Sequence, residues 1–457
     1  MAPPVPDKPV PDNLVSQTWE KPFFRPDNIP DAADVVIIGG GIVGVSTAYF
    51  LAKAGIKVVL CEKGHIAGEQ SGRNWGWVRK QCRDARELPM MIDSMNIWTS
   101  LEKDLGEDVG FRRTGCIYAA KSEKELANYE DWLKTARHFG LDTRLLNAAE
   151  LKTHIHGASE NWPGALHTPS DGRAEPHLAA PAIARAAIRA GATILTTCAV
   201  RGMEQSAGRV SGVITEYGTI KAQQVLCAGG AWTSLFCRFH GIRLPQLKVK
   251  GTVARTEKLE KIFDGELYGG GLGLRRRHDG GYTVASESYM NHSITPSTFR
   301  YALKFLPAFI EEFKHLHLTI GSDFFDELSI PVRWPMDTPS PFERTRVLNP
   351  DPDEDNLNVM QKAFARLFPA YPDVKFAESW AGMIETTPDA VPVICESEKI
   401  PGFYIATGFS GHGFGIGPGA GKAIAGMISG QVGGIDLSPF QLKRYFDGSK
   451  IILNQRI

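Results

Sequence analysis

The chain has 457 residues, of which 43% are hydrophobic and 22% are charged, so it is long enough for two or more globular domains. Its 51 basic and 51 acidic residues cancel, so no charge imbalance attracts nucleic acid or an anionic membrane surface. The longest apolar stretch is interrupted by glycines, and we therefore expect no membrane span.

The N-terminal segment, residues 1–31, begins with the proline-rich stretch "MAPPVPDKPVPDNLV". It lacks the basic start and the apolar core of a secretion signal, so we expect a loosely ordered arm and a cytoplasmic protein. The seven cysteines form no C-x-x-C pair and are predicted to be reduced residues of the core.

A run of β-branched residues, Val35–Ile38, is too short for a core helix and predicts a buried parallel strand. The motif G-x-G-x-x-G follows it at Gly39, Gly41 and Gly44. The first glycine permits a tight turn, the second lets the backbone approach a pyrophosphate, and the third lets a helix pack closely on the strand.

The helix predicted over residues 42–54 points its N-terminus at that phosphate, where N–H groups and the helix dipole favour an anion. A second predicted strand, residues 57–61, leads to Glu62, which is placed to accept hydrogen bonds from an adenosine ribose. An acid at this position argues against NADP, whose 2′-phosphate it would repel. The pattern predicts a dinucleotide site for NAD or FAD.

Further elements follow from hydrophobic periodicity, and an antiparallel sheet follows from short alternating runs. In chain order the predictions are a helix over 84–105, a helix over 123–139, a helix then a strand over 177–200, a strand over 219–233, the antiparallel sheet over 246–290, and a long loop over 331–352.

A strand predicted at Phe403–Thr407 runs into a glycine-rich segment and then into a helix of small residues. A P-loop is excluded, because Ile416 stands where its first glycine belongs and Ala423 where its Ser or Thr belongs. The segment is interpreted as a second backbone cradle, which favours a long cofactor such as FAD.

Four separated blocks of the chain resemble the FAD-dependent D-amino acid oxidase family, on its branch of glycine and sarcosine oxidases and dehydrogenases. The blocks are the opening motif, "SGRNWGWVR" at 71–79, "DGRAEP" at 171–176 with "VLCAGGAWT", and "WAGMIETTPDAVPVI" with "GFYIATGFSGHGFGIGPGAGKAIAGMISG".

The resemblance implies an α/β protein in which a Rossmann-like FAD-binding domain of the glutathione reductase type is interleaved with an α+β substrate domain built on an antiparallel sheet. The implied division is an arm at 1–31, the FAD-binding domain at 32–95, 165–245 and 376–440, the substrate domain at 96–164 and 246–375, and a tail at 441–457.

The resemblance also implies the residues that hold FAD. Gly382 stands where sarcosine oxidase has its flavin-linking cysteine, so non-covalent FAD is expected. The implied cofactor residues are Gly39, Gly41, Gly44, Glu62, Lys63, Ser71, Arg73, Asn74, Gly76, Trp77, Val200, Ala228, Gly229, Trp232, Gly382, Gly411, His412, Gly413, Phe414 and Gly415.

By the same resemblance, Arg79 falls where sarcosine oxidase places an arginine that holds the substrate carboxylate. A planar guanidinium suits this task because it can bind a carboxylate through two hydrogen bonds. Lys80 and Arg333 are further candidates for substrate binding, and His412 is a candidate neighbour of the flavin. The alternatives are a surface arginine at 79 and a loop-packing histidine at 412.

Three departures from the family pattern bear on substrate and acceptor. Ile384 replaces an arginine of glycine oxidases, Gly415 replaces a lysine of sarcosine oxidase, and Thr283 replaces the oxygen-activating lysine of that enzyme. The electron acceptor, O2 or another compound, therefore stays open.

Two other groups of residues are interpreted as solvated surface. The run Arg275–Arg277 precedes the turn sequence "HDGGY". The pairs His154/His156 and His315/His317 have no Cys, Asp or Glu partner at metal-ligand spacing, so no metal site is predicted.

The resemblance implies FAD-dependent oxidation of the C–N bond of an amino acid or N-substituted amino acid, with hydride transfer to flavin N5 and hydrolysis of the imine to an oxo acid and ammonia or an amine. A secondary-amine diacid such as iminodiacetate is one candidate, because Arg79, Lys80 and Arg333 offer several cations. The alternatives are an NAD-dependent dehydrogenase and a catalytically silent flavin-binding subunit of a larger complex.

Overall fold

The computed structural model describes residues 29–287, 290–312, 316–431 and 434–453, so the predicted arm lies almost wholly outside the described residues. The described strands are β1 (Val35–Ile38), β2 (Val58–Cys61), β3 (Trp77–Val78), β4 (Arg112–Arg113), β5 (Cys116–Ala119), β6 (Arg144–Asn147), β7 (Gly164–Thr168), β8 (Gly172–Arg173), β9 (Thr193–Leu195), β10 (Val200–Ser206), β11 (Arg209–Thr215), β12 (Gly218–Lys221), β13 (Gln224–Cys227), β14 (Leu247–Thr256), β15 (Glu266–Gly269), β16 (Leu272–Arg276), β17 (Tyr282–Ser286), β18 (Met290–Ser293), β19 (Leu316–Thr319), β20 (Phe376–Thr386), β21 (Val393–Glu396) and β22 (Phe403–Thr407). The described α-helices are α1 (Ile42–Lys53), α2 (Gln70–Arg73), α3 (Leu88–Leu105), α4 (Glu123–His138), α5 (Ala148–His154), α6 (Pro176–Arg189), α7 (Thr233–Phe239), α8 (Pro296–Glu312), α9 (Ser322–Ser329), α10 (Pro341–Arg344), α11 (Glu354–Leu367) and α12 (Gly413–Ser429).

A six-stranded sheet with the order β21-β22-β13-β1-β2-β9 contains the predicted opening strand near its centre. β1 pairs in parallel with both β2 and β13. Val35 and Ile37 pack in one hydrophobic core and Val36 in the other, because successive side chains of a strand point to opposite faces. Both faces are buried, which explains why the strand is apolar throughout and confirms its prediction.

Helices α1, α3, α6 and α12 contribute to the core on one face of this sheet. The small residues of α12 allow it to approach α1 closely. A Cβ atom on Gly417 would lie 2.7 Å from Ile42, and one on Gly421 would lie 2.5 Å from Ser46, so larger residues would force the helices apart. Part of the glycine-rich segment therefore serves helix packing.

A second, largely antiparallel sheet has the order β19-β18-β14-β17-β16-β15-β5-β7-β6, with β20 also paired to β14. The long β14–β20 ladder places Gly251 opposite Gly382. β7 and β20 belong to this sheet, although the predicted division assigned residues 165–245 and 376–440 to the FAD-binding domain. The chain therefore crosses between the two sheets near these boundaries, and the division into domains stays a prediction.

The interpretation of Arg275 as a solvated turn residue is wrong. Its side chain is 1% exposed, and its guanidinium Nη1 and Nη2 donate to the two carboxylate oxygens of Glu175 at 2.8 and 3.2 Å. The local turn sequence could not reveal this pair, since its partner lies 100 positions earlier in the chain.

The remaining surface and cysteine predictions concern smaller features. His154 is half-buried against His167, His156 and His317 are exposed, and His315 lies outside the described residues. The seven cysteines are reduced, and all but the half-buried Cys82 are buried. Each helix in the described part of the chain is too short or too polar to span a bilayer.

Candidate active site

A cavity of about 610 Å³ brings the two predicted glycine-rich segments together. Gly39 and Gly41 line it from the loop after β1, and Gly411 and Gly413 line it from the loop before α12. Gly382 of β20 lines the same cavity, so the antiparallel sheet also contributes a wall. The cavity therefore lies between the two sheets.

The first glycine loop leaves main-chain groups accessible to a ligand. Gly39 has φ +109°, and a Cβ atom there would collide with the carbonyl oxygen of Ala228. Gly44 packs against Gly39 behind the loop and does not line the cavity, in keeping with the packing role expected of the third glycine. The N–H of Ile42 at the start of α1 donates to Ser71 Oγ at 2.9 Å, next to Gly41.

Glu62 lies at the end of β2 and lines the same cavity. Its two carboxylate oxygens accept hydrogen bonds from the N–H groups of Gly40 and Gly64, each at 2.7 Å. Burial raises the pKa of Glu62, whereas Lys63 and these two N–H groups lower it. The side chain is therefore held in place at the cavity wall, where the sequence pattern predicts an adenosine ribose.

The ammonium group of Lys63 is used within the protein. It donates to Glu69 Oε1 and to the carbonyl oxygens of Thr345 and Arg346, and it lies 4.2 Å from the ring centroid of Trp232. An ammonium group has three N–H donors. Lys63 therefore contributes its stem to the cavity and ties the predicted long loop to the adenosine end.

The block at 71–79 follows one edge of the cavity. Ser71, Arg73, Asn74 and Trp77 line it, whereas Gly76 lies behind the lining. Arg73 donates to main-chain oxygens of Gly68 and Ala381 and to Asn349, and burial lowers its pKa. Within the described residues, Arg73 therefore joins three segments of the cavity wall.

Residues that follow β9 and β13 in the chain complete the cofactor end. Val200, Ala228, Gly229 and Trp232 all line the cavity. Trp232 is fixed by a hydrogen bond of 3.0 Å from its indole Nε1 to Glu69. The cavity lining thus includes these four of the implied cofactor residues.

The C-terminal loop divides into lining and supporting residues. Gly411, with φ +81°, lines the cavity together with His412, Gly413 and Phe414. Gly415 lies outside the lining, and its carbonyl oxygen accepts hydrogen bonds from Ser94 and Trp98. Helix α12 starts at Gly413, so its N-terminus faces the cavity.

These residues fit a dinucleotide cofactor. Glycines at 41, 229, 382 and 411 leave room along one path, and a helix N-terminus and a fixed acid stand where a pyrophosphate and a ribose would bind. The path continues to the second glycine loop, so it is long enough for a cofactor that carries a second ring system.

Arg79 lies at the other end of the cavity and is half-buried. Its guanidinium carbon is 5.5 Å from the ring centroid of Tyr118 and 6.0 Å from that of Trp77, at the edge of the distances usual for cation–π contacts. Its Nη1 donates to the carbonyl oxygen of Gln81. Within the described part of the chain its other N–H groups have no acceptor, so they stay available for a ligand carboxylate.

The structure does not place the other two predicted cations in the cavity. Lys80 points away, with its ammonium group bonded to Ser170 Oγ and 3.6 Å from Asp171. Arg333 is exposed on the predicted long loop and faces His240, whose pKa it lowers together with burial. We therefore drop both residues from the candidate site.

Arg83 is a cavity residue that the sequence analysis missed. It is 3% exposed, its Nε donates to the carbonyl oxygen of Arg79, and its Nη2 donates to that of His412 at 3.1 Å. Burial lowers its pKa to about 10, so the group stays cationic at neutral pH. Nothing in the local sequence separates it from its charged neighbours.

An aromatic wall at this end was also missed. Tyr118 stacks on Tyr268 with ring centroids 4.9 Å apart. Helix α4 adds one of its faces, with residues at i, i+3, i+4 and i+7 lining the cavity. These residues are Glu125, Asn128, Tyr129 and Trp132. Their helical spacing was visible in the sequence, but the cavity they face was not.

Thr283, compared above with an oxygen-activating lysine, lies away from the cavity and accepts a hydrogen bond from Arg275 at 3.1 Å. Strand β17 reaches the cavity at Ser286 instead. Thr283 therefore lies outside the candidate site and gives no information about the acceptor. Ile384 does line the cavity, next to Gly411.

Glu385 is a further lining residue absent from the predicted set. It is 4% exposed on β20, and its N–H donates to the side-chain oxygen of Gln70 at 3.4 Å. Within the described ranges, no group of three or more His, Cys, Asp or Glu side chains could hold a metal ion.

Comparison with known proteins identifies the family. The family model described as "FAD dependent oxidoreductase" (DAO) matches residues 34–427. Mitochondrial sarcosine dehydrogenase from Mus musculus is 24% identical over 91% of this chain, which spans only 42% of that relative. Sarcosine oxidase subunit beta from Arthrobacter sp is 25% identical and is matched over 92% of both chains.

The structure of L-amino acid deaminase from Proteus myxofaciens, solved with anthranilate, is similar at a TM-score of 0.88 and 32% identity. The match covers 91% of this chain and 94% of the deaminase chain. The predicted fold class and FAD as cofactor are confirmed by these matches, and the NAD-dependent alternative is wrong. Since the family model covers most of the residues, the chain belongs to the DAO family of FAD-dependent oxidoreductases.

Proposed function

We propose that the protein oxidises the C–N bond of an amino acid or N-substituted amino acid whose carboxylate binds Arg79. The observation that carries this proposal is the position of Arg79 at the aromatic end of the cavity whose other end fits FAD. Bound FAD supplies the oxidising group. The protein binds and orients the substrate, and it excludes water with the aromatic wall.

The orientation follows from the two ends of the site. A carboxylate held through two N–H groups of a guanidinium is fixed in direction as well as position, which places the adjacent carbon and nitrogen toward the second glycine loop. Tyr118, Tyr129, Trp132 and Tyr268 then surround the substrate side chain or N-substituent. These rings favour an apolar or aromatic group.

The test is a visible spectrum recorded without air while amino compounds are added one at a time. We would add sarcosine, glycine, D-amino acids and, because of the similar deaminase, L-amino acids. We expect one class to bleach the flavin band. The matched amine without a carboxylate should leave the band unchanged, since it cannot bind Arg79.

Admission of air then separates an oxidase from a dehydrogenase by the rate at which the colour returns. Bleaching by the amine as strongly as by the amino acid would contradict the role of Arg79. A yellow protein that no compound bleaches would favour the alternative of a silent flavin-binding subunit. Location in the cytoplasm stays a prediction.

A diacid such as iminodiacetate is the second candidate substrate. Two of the cations that suggested it, Lys80 and Arg333, lie elsewhere, but Arg83 adds a buried guanidinium next to the half-buried Arg79. If a diacid is the substrate, iminodiacetate should bleach the flavin faster than sarcosine does. Equal or slower bleaching by iminodiacetate removes this candidate.

We expect FAD to be held without a covalent bond. Gly382 offers no side chain for a flavin link, and a Cβ atom there would lie 3.5 Å from Arg73 Cβ. Acid precipitation of the purified protein should leave the yellow colour in the supernatant. Flavin that stays with the precipitated protein would contradict this expectation.

A further inference from the structure

Glu385 has an unusual environment for an acid. Its carboxyl group is buried and lines the cavity, and its Oε2 has no hydrogen-bond partner among the residues that the structure describes. A buried polar atom without a partner is unfavourable, and such atoms in native proteins are usually satisfied by a group that binds there. Because Glu385 lines the cavity, its unpartnered Oε2 indicates a ligand there.

The surroundings of Glu385 indicate which part of the ligand lies near it. Gln70, which accepts a hydrogen bond from the Glu385 N–H, is followed directly by Ser71, whose Oγ accepts a hydrogen bond from the N–H of Ile42 at the start of α1. On the other side, Glu385 Oε2 lies 3.9 Å from the position of a Cβ atom on Gly230. The carboxyl group is thus close to the start of α1, where the pyrophosphate is predicted to bind.

No cation neutralises this carboxyl group in the described residues that pack around it. On β14, Lys248 is paired with Glu385 in register, but its ammonium group lies over the ring of Trp232 at 5.6 Å. On the segment before α2, Glu69 is bonded to Lys63 and Trp232. The loop before α12 contributes the imidazole of His412, and the loop after β13 contributes Gly230, which carries no charge.

Burial raises the pKa of Glu385 to about 7, while Gln70 and the N–H groups of Phe409 and Gly408 act in the opposite direction. Around neutral pH, a substantial fraction of the molecules therefore carries a neutral carboxylic acid at this position. A neutral acid has an O–H donor, which an anionic carboxylate lacks.

We propose that Glu385 binds FAD directly, with its protonated carboxyl group donating a hydrogen bond from Oε2 to the chain of atoms that joins the pyrophosphate to the flavin. Oxygens of that chain accept hydrogen bonds, and those of the pyrophosphate are anionic, so a carboxylate at the same place would be repelled.

Because the protonated form is the binding form, FAD must bind more tightly below neutral pH than above it. We would measure the dissociation constant of FAD with apoprotein between pH 5.5 and 8.5, from the fluorescence of free FAD. Between pH 6 and pH 8 we expect the constant to rise about five- to tenfold.

The variant Glu385→Gln keeps an N–H donor at every pH, so its dissociation constant should be nearly independent of pH and close to that of the wild type at pH 6. The matched control is Glu378→Gln on the same strand. Glu378 lies outside the cavity lining and is paired with Arg255 at 2.8 Å, so the control should keep the pH dependence of the wild type.

A Glu385→Gln protein with the same pH dependence as the wild type would overturn the proposal and assign that dependence to another group, such as Glu62 or His65. Uniformly weak binding by folded Glu385→Gln would also overturn it, because the anion would then be the binding form.

A second measurement needs no variant. Calorimetry of FAD binding at pH 7.5, in buffers with different ionisation enthalpies, should show uptake of about half to three-quarters of a proton per FAD. Uptake of no proton would contradict the proposal. Both experiments follow cofactor binding without turnover, so they give the same answer whether or not the protein oxidises amino acids.

Discussion

Replacement of Arg79 by Gln should lower kcat/KM about 100-fold or more for the compound that bleaches the flavin most rapidly. Loss of one partner of a desolvated charge pair costs about 3 kcal/mol, which corresponds to a factor of roughly 100. The carboxylate would also lose its fixed direction, so kcat should fall as well as KM rise. Single-turnover reduction of the flavin, measured over a range of substrate concentrations, separates the two effects.

The variant Arg79→Lys is the sharper comparison. Lysine keeps the positive charge but cannot form the paired N–H contacts of a guanidinium, so we expect it to recover only part of the loss. The matched control is Arg113→Gln, an exposed arginine on β4 that bonds to Thr99 and lies outside the cavity lining. The control should change kcat/KM less than threefold.

All three variants should contain as much FAD as the wild type, because Arg79 lies at the end of the cavity away from the first glycine loop. Reduced FAD content in Arg79→Gln alone would show that this arginine supports the cofactor site. Unchanged kcat/KM in a flavin-loaded Arg79→Gln protein would contradict its role, and Arg83 would become the candidate for carboxylate binding.

The cofactor half of the molecule could be predicted because its sequence pattern is local. The strand Val35–Ile38, the glycine turn, the helix α1 and Glu62 follow one another without interruption, and each position has one structural task. The glycine loop before α12 is predictable for the same reason. In both places the residues that touch the cavity are neighbours in sequence.

The substrate half could be predicted only in part, because its residues come from distant segments. Arg79 was identified through a family resemblance, whereas Tyr118, Tyr268 and the face of α4 come together only through the order of strands in the large sheet. The long loop was expected at the site, but the residue expected to contact the cavity does not do so. Arg333 was expected at the site, but the loop reaches the cavity through Phe342 and Arg346 at the adenosine end.

Replacement of Glu175 by Gln should lower the free energy of unfolding by about 3–5 kcal/mol, because it leaves the Arg275 guanidinium buried without its counter-charge. Both side chains are 1% exposed, and the pair is joined by two hydrogen bonds. The loss is measured as the shift of the denaturant midpoint of the FAD-loaded protein. The control variant is Asp131→Asn, at an exposed acid that pairs with Lys134. It should leave the denaturant midpoint unchanged.

The pair should also affect the cavity, because Arg275 Nε donates to the carbonyl oxygen of Trp75 directly before the loop at Gly76. We therefore expect Glu175→Gln to release FAD at a lower denaturant concentration than the wild type. If the double variant Glu175→Gln with Arg275→Met is more stable than Glu175→Gln alone, the buried unpaired charge is the cause. A midpoint that does not move in Glu175→Gln would contradict the assignment.

The pH dependence of this pair has a definite sign. Burial alone would raise the pKa of Glu175, but Arg275 lowers it to about 2, below the ordinary value of 4.5. An acid whose pKa is lower in the folded protein stabilises the fold fully above its unfolded pKa and loses that contribution as the pH falls toward the folded pKa. The difference in stability between wild type and Glu175→Gln should therefore be constant above pH 6 and shrink below pH 4.5, as the carboxylate of the wild type is titrated toward pH 2. A difference that stays constant down to pH 3 would show that the charge of Glu175 contributes nothing and that its hydrogen bonds alone hold Arg275 in the core.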